Sequence, residues 1–60
     1  MITVRQQGER VVACSRPGTP TVYLLDTATY AAIAQTADEE TRWRLIKRNC
    51  LARARKEEIP

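Results

Sequence analysis

Two apolar runs separated by a turn-forming hexapeptide constrain the fold of this 60-residue chain most strongly. The runs occupy residues 11–14 and 22–25, and the hexapeptide between them, residues 15–20, contains Pro17, Gly18 and Pro20. Valine and tyrosine favour strands, while Pro-Gly favours a type II turn with glycine at the position of positive φ. The sequence therefore predicts a β-hairpin, with strands over residues 10–14 and 21–25.

Further elements are expected on both sides of this hairpin. Apolar and polar residues alternate weakly over residues 1–5, which predicts a first strand. A short helix is expected over residues 27–35, with Asp26 or Thr27 as its N-cap. Within it Tyr30, Ile33 and Ala34 form an apolar stripe that would pack on the sheet.

A second, longer helix is predicted in the C-terminal part of the chain. Thr36 and Glu39 have the spacing of a capping box, and the helix would run to about residue 56, with residues 57–60 as a frayed end. Trp43, Ile46 and Cys50 lie at helical spacing. The expected fold is α+β, with a three-stranded antiparallel sheet followed by a short helix and a longer amphipathic C-terminal helix.

The length of the chain predicts one domain that gains stability by association. A domain of 60 residues buries only about 60% of its unfolded surface, so a lone monomer is marginal. The strand over residues 10–14 is partly apolar on both faces, as expected if a helix covers one face and a second subunit covers the other. We expect a homodimer whose dimerisation core is residues 1–35, with residues 36–60 forming the basic helix and tail.

The composition argues against an enzyme and against a bound cofactor. Histidine is absent, and the sequence has no Gly-rich phosphate loop and no metal-ligand cluster. Cys14 is expected to be a small buried apolar residue, and whether it pairs with Cys50 is left open. No apolar run approaches the length of about 18 residues needed to cross a bilayer, so we expect a soluble protein that does not bind membranes. Without a signal peptide in the sequence, we expect a cytoplasmic protein whose two cysteines are reduced thiols.

The C-terminal part carries most of the positive charge, in a chain of net charge +3. Its seven cations between Arg42 and Lys56 allow two interpretations, contact with nucleic-acid phosphates or a solvated helix face. Trp43 is a large apolar side chain of the kind that anchors protein interfaces, which favours a protein partner. The predicted partner-binding residues are Arg42, Trp43, Ile46, Lys47, Cys50 and Arg53.

The order of these parts resembles the Phd/YefM family of antitoxins. The resemblance covers about half of the chain, and only residues 1–7 stand where that family has an N-terminal helical segment. Its pattern is a Gly-Glu, a Val-rich strand, a Gly turn, a second apolar strand and an aromatic-bearing helix. The matching residues are Gly8, Glu9, Val11, Val12, Arg16, Gly18, Pro20, Val22, Leu24, Leu25, Tyr30 and Ile33.

This resemblance implies a dimeric antitoxin whose C-terminal helix binds and neutralises a toxin and whose dimer represses its own operon. Arg5, Arg10 and Arg16 are then the expected contacts to operator DNA, through phosphates. One alternative is an inhibitor or adaptor of a phage or mobile element without DNA binding. Another is a ribbon-type repressor in which residues 21–25 pair across the dimer and enter the major groove.

Overall fold

The computed structural model describes residues 1–58, which form a four-stranded sheet with two α-helices on one face. The strands are β1 (Thr3–Gln6), β2 (Val11–Ser15), β3 (Thr21–Asp26) and β4 (Ala52–Arg55). They are antiparallel in the order β1-β2-β3-β4. The helices α1 (Thr27–Ile33) and α2 (Glu39–Asn49) both belong to the connection from β3 to β4, and a 3-10 turn (Lys56–Glu58) follows β4.

The hairpin of β2 and β3 is confirmed together with its turn. Gly18 has a φ of +83°, and the N–H of Thr19 donates to the carbonyl of Arg16 at 3.2 Å. Pro17 and Gly18 therefore occupy the two central positions of a four-residue turn, and glycine stands where a side chain would be strained. The strands pair with Cys14 opposite Tyr23 and Val12 opposite Leu25.

The first helix begins where the sequence predicts. The Asp26 carboxylate accepts a hydrogen bond from the N–H of Ala28 at 3.0 Å, which is the N-cap interaction. The helix ends at Ile33, two residues earlier than expected. Ile33 is buried, so this short helix contributes one side chain to the interior.

The predicted N-cap of the second helix was wrong by two residues. Asp38, not Thr36, caps α2, and its carboxylate accepts from the backbone N–H of Thr41 at 2.8 Å and from the Thr41 hydroxyl at 2.6 Å. These hydrogen bonds, the hydroxyl's first, lower the pKa of Asp38. The carbonyls of Thr36 and Ala37 instead accept from the Arg42 guanidinium at 2.7 and 2.8 Å, which fixes the linker between the helices.

The predicted long C-terminal helix and three-stranded sheet were also wrong. Helix α2 ends at Asn49, whose side-chain amide donates to the carbonyl of Leu45, and Cys50 is already extended. The chain then forms β4 along β3, with the N–H of Leu51 donating to the carbonyl of Leu24. Alanine and arginine favour helix, but in this fold the backbone groups of residues 52–55 pair with those of β3 instead.

One hydrophobic cluster lies between the sheet and the helices. It joins Val12, Cys14 and Leu25 of the sheet to residues of both helices, namely Ile33, Trp43 and Ile46. Burial raises the pKa of the Cys14 thiol to about 11, so this thiol stays protonated at neutral pH. Of the predicted frayed end, residues 57 and 58 belong to the 3-10 turn, whereas Ile59 and Pro60 lie outside the described residues.

Candidate functional site

The residues predicted to bind a protein partner do not form one surface. Trp43 and Ile46 lie in the core, with 7% and 0% of their surface exposed. Their stripe has the predicted helical spacing but packs against the chain's own sheet, because Val12 and Leu25 would otherwise face water. In this fold they are not available as docking side chains.

The other predicted partner-binding residues are dispersed. Cys50 is half-buried and packs against the core, and its thiol donates to the carbonyl of Lys47 at 3.5 Å. Arg42 is half-buried and holds the linker between the helices. Only Lys47 and Arg53 are exposed, so two of the six predicted residues remain on the surface.

The three arginines predicted to contact DNA are also separated. Arg5 and Arg10 are exposed, whereas Arg16 is half-buried. Arg5 projects from the sheet face opposite the helices, since it shares that face with its cross-strand partner Ala13. Arg16 lies on the helix side, where its guanidinium stacks over Trp43. The three therefore do not form a common phosphate-binding surface.

Arginines and aromatic rings form a continuous stack on the helix side. The guanidinium of Arg16 lies 5.5 Å from the ring centroid of Trp43, which meets Tyr23 edge to face at 5.3 Å and 85°. The guanidinium of Arg53 lies over the Tyr23 ring, 5.8 Å from its centroid. Arg16 also pairs with Glu40 at 3.0 Å. Cation–π contacts of this kind fix the position of an arginine while leaving part of its charge exposed.

Five exposed cations lie on the side of the molecule that carries the helices. Helix α2 contributes three of these cations, because its buried side chains Trp43 and Ile46 face the sheet and the cations lie away from them. Strand β4 contributes two, because its arginines pair with Tyr23 and Thr21 and alternate with alanines on the other face. We call this set the helix-side basic surface: Arg44, Lys47, Arg48, Arg53 and Arg55.

The charge of this surface is largely uncompensated. Arg55 has a partner in Glu57, at 3.6 Å and with both side chains 75% exposed. Among the side chains that the structure describes, the other four make no ion pair. Glu39 and Glu40 are engaged at the N-terminal end of α2, by the amino terminus and by Arg16. Negative and positive charge are thus separated along the helix.

The sequence pattern identified these cations as a group but not their arrangement. On a helix extending to residue 56, the arginines of β4 would have been spread around the cylinder, whereas strand alternation places Arg53 and Arg55 on one face. The alternation of alanine and arginine over residues 52–55 is compatible with a strand, but four residues are too few to distinguish it from a helix.

Within residues 1–58, no group of three or more histidine, cysteine or acidic side chains is placed to hold a metal ion. No helix in that part of the chain is long and apolar enough to cross a membrane. No protein-family model, curated protein or solved structure matches the chain.

Proposed function

We propose that this protein is a small binding module that contacts the phosphate backbone of nucleic acid through the helix-side basic surface. One observation carries the proposal, the five exposed cations that α2 and β4 present on the helix side, four of them without an ion pair among the described side chains. Lysine and arginine that neutralise phosphates release condensed counterions, which makes such surfaces bind without a deep pocket.

The distribution of apolar side chains favours nucleic acid over a hydrophobic protein interface. Protein interfaces are usually anchored by buried aromatic or aliphatic side chains. Here Trp43 is committed to the core, and the large apolar side chains exposed within the described part of the chain are Met1, Val4 and Leu51. Of these, Leu51 alone lies beside the helix-side basic surface, in the connection from α2 to β4, and a single leucine is a small apolar area for a protein interface. Phosphate contact requires charge and hydrogen-bond donors, which this surface supplies.

The test is the salt dependence of binding to labelled nucleic acid. We expect anisotropy of a fluorescent duplex of about 20 base pairs, and of a single strand of similar length, to report binding at about 50 mM salt that weakens steeply by about 200 mM. Arg44→Gln/Lys47→Gln should weaken binding at least about tenfold and reduce the slope of log K against log salt by about 1 to 2.

Arg10→Glu is the matched control, because it changes the net charge by the same amount at an exposed residue outside this surface. It should change affinity much less than Arg44→Gln/Lys47→Gln. An absence of binding at low salt, or an equal loss in the control and in Arg44→Gln/Lys47→Gln, would show that the helix-side basic surface is not a nucleic-acid interface.

Antitoxin-like binding of a partner protein is the second candidate, and the hairpin and its turn support it through the resemblance to Phd/YefM antitoxins. In this fold the partner would meet Lys47 on the exposed part of α2 and Arg53 on β4, and would have to be acidic. An inhibitor or adaptor of a phage or mobile element would use the same exposed cations and would also need an acidic partner. Co-purification with the product of a neighbouring gene, without nucleic-acid binding, would favour this class.

The ribbon-type repressor is not compatible with the sheet. Strand β3 pairs with β2 along one edge and with β4 along the other. It therefore has no free edge with which to pair across a dimer, and it cannot enter a groove as a two-stranded ribbon. Association into a homodimer stays a prediction.

A further inference from the structure

The face of the sheet opposite the helices contains a depression with a distinct chemistry. Its volume is about 350 Å³, and it is lined by Thr3, Arg5, Ala13, Ser15, Val22 and Lys56. Strand register brings these residues together, since Thr3 lies opposite Ser15 and Arg5 lies opposite Ala13. The depression is separated from the helix-side basic surface by the thickness of the sheet.

The floor of the depression is formed by the apolar side chains of Ala13 and Val22. Ala13 and Val22 are each 5% exposed, although no helix covers this face. The side chains of Ala13 and Val22 have no polar atoms, so the polar groups that a ligand could meet are those of the border residues.

The borders of the depression supply donors. Lys56 is fixed at two points, because its backbone N–H donates to the carbonyl of Pro20 and its ammonium donates to the carbonyl of Arg16, both at 2.9 Å. Two ammonium hydrogens remain for a ligand. Arg5 makes no ion pair among the described side chains. Thr3 and Ser15 add two hydroxyls.

We propose that this depression binds the phosphate group of a small molecule. Two cations and two hydroxyls, with no carboxylate in the lining, suit an anion that has several oxygens. The planar fork of Arg5 matches two of those oxygens, and the Lys56 ammonium acts as a point charge on a third.

The test is an NMR titration of the isotopically labelled full chain with inorganic phosphate, and separately with adenosine 5′-monophosphate, against sodium chloride at equal ionic strength. We expect saturable amide shifts confined to residues 3–5, 13–15, 22 and 56, with a dissociation constant on the order of 1 to 10 mM for phosphate. If adenosine 5′-monophosphate binds more tightly than inorganic phosphate, the site is assigned to phosphate esters. If the two bind equally, the site is assigned to free phosphate.

Arg5→Gln/Lys56→Gln should abolish the saturable shifts, while Arg10→Glu, which changes the net charge by the same amount outside both proposed sites, should leave them. The dispersion of the spectrum verifies that each variant is folded. The proposal is overturned if the shifts do not saturate, if they occur equally at exposed cations throughout the molecule, or if they survive Arg5→Gln/Lys56→Gln. Nucleic-acid binding by Arg44→Gln/Lys47→Gln tests the helix-side basic surface, whereas the phosphate shifts of Arg5→Gln/Lys56→Gln test the depression, so the two proposals can fail separately.

Discussion

Replacing Trp43 with alanine is expected to lower the free energy of unfolding by about 3 to 5 kcal/mol, which is most of the stability of a domain of this size. The indole is 7% exposed and contacts the sheet through Tyr23. Its loss removes a large buried area and leaves a cavity between α2 and the strands. It also removes the ring on which Arg16 stacks.

Urea unfolding followed by far-UV circular dichroism measures this effect, since the variant has no tryptophan fluorescence. Trp43→Phe is the matched variant, and it should cost less because it keeps an aromatic ring against Tyr23. A Trp43→Ala chain as stable as the wild type, but unable to bind its partner, would show instead that Trp43 anchors an interface.

Ile46→Ala should destabilise the chain by about 2 to 5 kcal/mol, because Ile46 is completely buried and its truncation leaves a cavity in the cluster. Its neighbour Lys47 is exposed on the same helix, and Lys47→Ala should change stability by no more than about 0.5 kcal/mol. Thermal unfolding of both variants in the same buffer makes the comparison. Equal and small effects would mean that α2 does not pack on the sheet.

Features set by local chemistry were predictable from the sequence. The turn at Pro17 and Gly18 and the N-cap at Asp26 depend on a few adjacent residues, and the structure has both. The spacing of Trp43 and Ile46 also predicted the buried stripe of α2. Periodicity identifies an apolar face but not the surface that it covers, so the same stripe was interpreted as a docking surface.

Features set by distant parts of the chain were not predictable in this way. Residues 52–55 are too few to separate a helical period from a strand period, and their intrinsic preference is helical. Their strand conformation depends on the free edge of β3, which lies about 30 residues earlier in the chain. The positions of Arg53 and Arg55, and therefore the candidate site, follow from that pairing.

Backbone chemical shifts and cross-strand contacts of residues 50–56, measured by NMR, test most directly whether the C-terminal part of the chain returns to its own sheet. We expect strand-type shifts for Ala52, Arg53, Ala54 and Arg55, and nuclear Overhauser effects between the backbone protons of Arg53 and Tyr23, which lie opposite each other. Uninterrupted helical shifts from Glu39 to Lys56 would contradict the four-stranded fold and, with it, the helix-side basic surface.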